Sequence, residues 1–340
     1  MRPTAASSFI SSYPSTDKEG RKLAKKESTF KTMIGGQALM EGILMRGPTK
    51  QAIVVNGAEG RVVKVEELTY SKDKYPVLGW PFIRGVFTFI TSMTNGIRAL
   101  MFSAEQLPEE ETENESKLDK WINEKFEGEK ATKVMISFSL VIGLVISVAL
   151  FILLPSWLAL LFKNIIHSGI VINLIEGVIR IIIFLVYMWA ATRMKDIHRV
   201  FEYHGAEHKS IHCYEKGLPL TVENVRPQPR QHPRCGTSFL FVVMIISILV
   251  FSVVSFNWAS WDNPLLRTVL RLALLPIVVA ISYEINRWVG GHDNVLSKIL
   301  AAPGKAVQHL TVFEPDDLMI ETAIAALELV IPEEKGADKW

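Results

Sequence analysis

From residue 134 to residue 162 the chain carries no charged side chain, and Lys133 and Lys163 bracket the run. Hydrocarbon offers a peptide group no partner, so a segment this long and apolar folds as a helix that bonds to itself and crosses a bilayer. The same reasoning predicts three more spans, at about 165–192, 236–261 and 265–288. The third is free of charge, whereas the second holds Glu176 and Arg180 and the fourth holds Arg267, Arg271 and Glu284. Ionisable groups at membrane depth turn inward and pair, so Glu176 and Arg180 are expected to meet Arg267 and Arg271. Snorkelling towards the interface is the alternative for these four residues. Lining a transport pathway is a third use for them.

The remaining segments face water. Apolar residues make up 49% and charged residues 21% of the 340, too charged a balance for a chain that is all membrane. A net charge of +2 gives no reason to expect a nucleic-acid partner, and two cysteines cannot make a disulfide framework. Residues 1–31 read as a disordered basic tail without the apolar core of a signal peptide. Residues 32–75 read as a Gly-rich, β-containing cap, with two β-runs around the turn at Asn56-Gly57-Ala58-Glu59-Gly60. An amphipathic helix over 76–104 either lies along the interface or packs on the bundle, and 105–132 is an acidic linker. The bundle fills 133–300, with a His-rich loop at 193–235, and 301–340 holds a C-terminal helix and a tail that frays beyond Glu333. The fold class is mainly α and membrane-bound: four transmembrane helices, a small N-terminal β-containing cytoplasmic cap and a C-terminal amphipathic helix.

Basic residues set the orientation. The 193–235 loop carries Arg193, Lys195, Arg199, Lys209, Lys216, Arg226, Arg230 and Arg234, while the short connections on the other side carry little beyond Lys163. The His-rich loop and both termini are therefore expected in the cytoplasm.

That loop also gathers the metal-ligating side chains. The stretch FEYHGAEHKSIHCYE, residues 201–215, spaces His204, His208 and His212 four apart, close to one helical face, and His232 and Cys235 follow. Imidazoles one turn apart can chelate one divalent ion, and mixed His and Cys donors suit zinc first and iron second. His204, Glu207 and His208 spell the inverted zincin order, in which two histidines hold zinc and the glutamate activates a water. That scheme needs a distant carboxylate ligand, for which Glu284 and Glu223 are candidates. The metal set is thus His204, His208, His212, His232 and Cys235, with Glu207 as catalytic base. Glu41, Arg46, Cys213, Arg234, His292 and Asp293 are candidates for supporting the ligands or holding substrate. Arg226, Arg230 and Arg234 could hold an anion, or only obey the positive-inside rule. Hydrogen bonding, or contact with acidic headgroups, is the other reading of the histidines, and the preferred one for the isolated His198 and His309.

Four segments in order, GGQALMEGILMRGP, FEYHGAEHKSIHCYE, HPRCGTSF and FEPDD, resemble the YqhQ-like bacterial membrane family over about residues 34–329. The resemblance implies a multi-pass protein of the bacterial inner membrane, described as a predicted metal-dependent enzyme of unknown reaction. Three functions stay open: a metal-dependent, hydrolytic membrane enzyme; a non-enzymatic scaffold or assembly protein with a polar or metal staple; and a small transporter. The lipid bilayer is the expected partner, and homo-oligomerisation is left open.

Overall fold

The computed structural model describes residues 30–69, 75–108, 129–162, 164–256, 264–334 and 336–340. The basic tail up to Thr29 and the acidic linker over 109–128 fall outside the described residues.

Within those residues, four helices are long and apolar enough to cross a membrane: Val141–Leu160, Gly169–Ala191, Gly236–Val254 and Thr268–Gly291. The protein is a membrane protein with the four spans that the hydropathy pattern predicts.

The helices are α1 (Ile83–Glu105), α2 (Glu129–Val148), α3 (Leu154–Leu160), α4 (Gly169–Ala191), α5 (Lys195–Glu215), α6 (Val222–Val225), α7 (Gly236–Phe256), α8 (Pro264–Gly291), α9 (Val295–Thr311) and α10 (Asp317–Glu328). A π-helical turn, Ala149–Leu153, joins α2 to α3 inside the first span. Pro155 accounts for part of this irregularity. It has no N–H to offer the Phe151 carbonyl one turn earlier, and Arg180 Nε donates to that carbonyl instead, at 3.0 Å.

The charged groups of spans two and four turn inward and meet. Glu176 is 1% exposed and accepts from Arg180 Nη2 at 2.9 Å, Ser156 Oγ at 3.0 Å and Arg271 Nη2 at 2.6 Å. Arg271 also donates to Asn173 Oδ1 and Arg180 to Ser247 Oγ, each at 3.1 Å. The Phe251 ring lies 5.8 Å from the Arg180 guanidinium and 5.4 Å from that of Arg271. These three charges do not snorkel; the Arg267 side chain lies outside the described residues. Glu284 goes elsewhere, accepting from Arg84 Nε on α1 at 2.8 Å. With Gly85 against Tyr283, that pair packs α1 on the bundle.

The Gly-rich cap holds more strand than its composition suggests. Strands β1 (Gly35–Leu39), β2 (Gly42–Arg46), β3 (Lys50–Gly57) and β4 (Gly60–Glu67) form one antiparallel sheet in chain order. The expected turn joins β3 to β4, but β1 and β2 were hidden by their glycines. Those glycines permit close strand contact: a Cβ on Gly36 would lie 2.6 Å from Leu44 O, and one on Gly42 2.5 Å from Val54 O. Side chains then alternate between faces. Ile43, Met45, Ala52 and Val54 pack with α5 and α10, while Leu39, Leu44, Ile53 and Val55 pack with Ala99 of α1.

Within the 193–235 connection the histidine spacing falls on a helix, α5, as expected. Two expectations need correction. An additional helix, α9, follows span four, started by a capping box between Asn294 and Ser297. The tail beyond Glu333 does not simply fray: Lys339 bridges Thr32, and Trp340 N–H donates to Lys31 O at 2.9 Å. Partners 300 residues away, in the first strand-like segment, could not be read from the tail's own polar sequence.

Removing one member of a buried ionic cluster leaves the others uncompensated, at a cost of roughly 3–5 kcal/mol. Glu176→Ala is expected to lose that much stability in detergent, read by thermal or denaturant unfolding. A melting point equal to the wild type would mean that Glu176 does not hold the two guanidiniums in the bundle.

Candidate metal centre

Helix α5 is polar yet buried. Its buried residues include Glu207, His208, Lys209 and Ser210. One side meets the sheet, and the other meets the segment 226–235 that leads into α7. Gly205 permits a further close contact, since a Cβ there would collide with Phe313 O. The chain before Phe313 thereby brings the Thr311 carbonyl to His204.

Two rings on α5 are held alike. His204 Nδ1–H donates to Thr311 O at 2.9 Å, and His208 Nδ1–H donates to Arg230 O. Each bond leaves the Nε2 lone pair free to act as a ligand. His204 Nε2 lies 3.1 Å from Cys235 Sγ. His208 Nε2 is buried with no hydrogen-bond partner among the described residues. One donor atom from each of His204, His208 and Cys235 lies within 4.8 Å of the others.

The third histidine of the motif does not join them. His212 donates from Nε2 to Gln231 O at 2.9 Å and groups with His232 and Glu215. Eight residues turn its ring by about 80° from that of His204, and the carbonyl beside it is that of Gln231 and not of Arg230. The donors of this second group are already engaged. Glu215 accepts from Arg234 and from Thr32 N–H, the latter at 2.9 Å, and His232 Nδ1 faces Arg234 N–H at 3.4 Å. A guanidinium in their midst opposes a cation, so the first group is the better candidate for a metal.

A cavity of about 130 Å³ opens beside that group, lined in part by Gly36, His204, Glu207, His208, His232 and Cys235. Glu207 accepts from Gly36 N–H at 3.0 Å. Burial pushes its carboxyl up to about 7, against the opposing pull of His204. Burial also holds the His208 ring down at about 4 and, with Arg234 nearby, keeps His232 well below its ordinary value. Burial alone would raise the Cys235 thiol, but His208 and the Thr237 hydroxyl and amide outweigh it and bring the thiol lower.

The other candidates, Arg234 excepted, lie apart from this cavity. Glu41 is clamped by Arg199, with Nη2 at 2.6 Å, and has φ of 49° in the β1–β2 turn. Arg46 ends β2, and the Cys213 thiol points towards Pro219 O at 3.5 Å, within the core shared by α5 and the sheet. His292 stacks on Trp288, and Asp293 lies 3.6 Å from Lys298. Arg234 lines the cavity but is paired with Glu215. Neither proposed distant carboxylate is present: Glu284 binds Arg84 and Glu223 is exposed on α6. Arg226 pairs with Asp317 and Arg230 with Glu314. His198 stacks on Phe313, and His309 is exposed. Sequence reasoning missed Glu215 and Gly36; the Gly35-Gly36 pair was the available sign that backbone approaches another element there.

The family described as "Protein of unknown function (DUF1385)" matches residues 80–333. The chain belongs to this family. Along most of its length the chain is similar to "Uncharacterized protein YqhQ" of Bacillus subtilis (strain 168), 33% identical over 297 residues, or 85% of this chain and 89% of that protein. No solved structure matches. The DUF1385 match takes in α5, Cys235 and α10 and begins after the sheet, so Gly36 stands outside it.

Glu207 and His208 make stability depend on pH in opposite senses. Glu207, raised from 4.5 to about 7, makes the folded state bind its proton more tightly, a contribution lost as pH rises across that window. His208, lowered from 6.5 to about 4, contributes stability above 6.5 that is lost as pH falls towards 4. In metal-stripped protein, Glu207→Gln is expected to expose the histidine slope, with stability rising by on the order of 2–3 kcal/mol between pH 4 and 6.5. A flat unfolding profile for that variant would show that His208 takes its proton as easily in the fold as outside it.

Proposed function

We propose that His204, His208 and Cys235 hold a divalent metal, zinc before iron, in a metal-dependent membrane enzyme of hydrolytic type. The observation that carries this reading is His208 Nε2, a buried ring nitrogen with no hydrogen-bond partner among the described residues, beside an imidazole and a thiol. An unpaired buried acceptor costs about 1–3 kcal/mol, and a bound cation removes that cost. Two nitrogens and a sulfur suit zinc, and backbone carbonyls hold the outer N–H of both rings as they commonly do for metal-bound histidines.

When bound, zinc supplies Lewis acidity towards an oxygen of water or substrate. Glu207 supplies the proton transfer: a carboxyl near 7 can take and return a proton at neutral pH. Gly36 N–H orients that carboxyl, and the surrounding wall limits water. A thiol stands where an inverted zincin needs a carboxylate, so the arrangement does not favour peptide hydrolysis over other hydrolytic reactions. The basic residues of 193–235 support a cytoplasmic site in a bacterial inner membrane. A cysteine placed at Lys195 is then expected to resist an impermeant thiol reagent in intact cells; labelling from outside would reverse the orientation.

His232 favours a second reading. Its ring lies 5.6 Å from that of His208 and lines the same cavity. With its Nε2 released from Arg234, which lies 3.3 Å away, it would close the site as a fourth ligand, and the metal would staple α5 to the 226–235 segment of a scaffold.

Protein purified from metal-replete cells is expected to carry stoichiometric metal, reduced roughly tenfold or more in His208→Ala and Cys235→Ser and unchanged in His212→Ala. Glu207→Gln is expected to retain it. Metal-free wild type would sink both readings. X-ray absorption separates them: three protein donors with an oxygen support the enzyme, and four protein donors support the staple.

A further inference from the structure

Beyond Arg234, which borders both spaces, lies a second cavity of about 200 Å³. It sits where two spans leave the membrane at the same end of the bundle. Val289 and Gly290 close the fourth span, and Pro233 and Arg234 precede the third. The lining is basic: Lys31, Lys216, Arg234, Lys298 and Lys305, against Glu215 and Asp293. Arg234 is engaged by Glu215, and Lys298 lies 3.6 Å from Asp293. Lys216 and Lys305 form no ion pair among the described residues, and Lys31 Nζ lies 3.5 Å from Gly290 O. Three ammonium groups around one hollow repel one another until an anion enters.

The setting indicates which anion. Helix α9 forms one wall through Lys298, Ala301 and Lys305. Beside that wall the same helix exposes Val295, Leu296, Ile299 and Leu300. A helix with lysines flanking an apolar face lies in the headgroup layer, with the apolar side against acyl chains. Trp288, stacked on His292 at the end of the fourth span, marks the same level.

We propose that this cavity binds the phosphate headgroup of an acidic phospholipid. Lys31, Lys216 and Lys305 surround the phosphate, and the acyl chains run along the apolar face of α9. This binding stands whether or not His204, His208 and Cys235 hold a metal.

The test uses full-length, chelator-treated protein in neutral detergent. It is titrated with short-chain phosphatidate, short-chain phosphatidylcholine and inorganic phosphate, and thermal unfolding is followed. Phosphatidate is expected to raise the Tm saturably and phosphatidylcholine to leave it unchanged, with inorganic phosphate binding roughly tenfold or more weakly than phosphatidate. The double variant Lys216→Gln, Lys305→Gln is expected to weaken phosphatidate binding by roughly tenfold or more. Lys195→Gln, an exposed change outside the cavity, is expected to leave it intact. Lys216 and Lys305 are themselves exposed, and the unliganded Tm of the double variant checks that its fold is retained. A response to phosphatidylcholine equal to that for phosphatidate, undiminished binding by the double variant, or an equal loss in Lys195→Gln overturns the site. Inorganic phosphate binding as tightly as phosphatidate overturns the lipid assignment in favour of a soluble phosphate.

Discussion

A helix as polar as α5 can be buried only when its side chains find partners, because an unpaired polar group is costly away from water. The partners come from segments far apart in the chain. Glu41 and Asn56 of the cap meet Arg199 and Tyr203, and Gly36 meets Glu207. Lys209 donates to Arg226 O at 2.7 Å and pairs with Glu314. The three histidines take carbonyls from Thr311, Arg230 and Gln231. The sheet, the 226–235 segment and the C-terminal helices are thus arranged around one element, and His208 Nε2 is left over at its centre.

The bundle has a comparable centre. Ser156 comes from span one, Asn173, Glu176 and Arg180 from span two, Ser247 from span three and Arg271 from span four. One carboxylate with its two guanidiniums therefore touches all four spans. Buried ion pairs are poor evidence for net stability, but this one fixes rotation: turning any of the spans away from the centre would carry a polar group into lipid. The ends of spans three and four, which flank both cavities, inherit that register.

Hydropathy made the four spans legible, since a long charge-free run has few other fates. The inward meeting of Glu176 with Arg271 was legible too, from the cost of charge at depth. The cap was only half legible, because glycine lowers strand propensity and yet β1 and β2 need it for close approach. At the candidate site, composition and spacing pointed to the right segment and could not divide it. Four-residue spacing places rings on nearly one face, but the division between His208 and His212 depends on which backbone carbonyl of 226–235 lies beside each ring. Glu215 was overlooked because nothing local ties it to His232, 17 residues on.

Arg234 joins the two cavities physically. Its guanidinium is held by Glu215 and lies 5.6 Å from the Trp340 ring, while a Cβ on Gly290 would come within 3.0 Å of its side chain. The end of span four, the C-terminal tail and α5 thus converge on one side chain. Paired with Glu215 it adds little net charge to either space, so a cation among His204, His208 and Cys235 and a phosphate among the lysines need not exclude each other. With a lone lysine in its place, neither the carboxylate nor the aromatic ring would be held in the same plane. The guanidinium, paired with Glu215 and set against Trp340, forms the wall that the two cavities share.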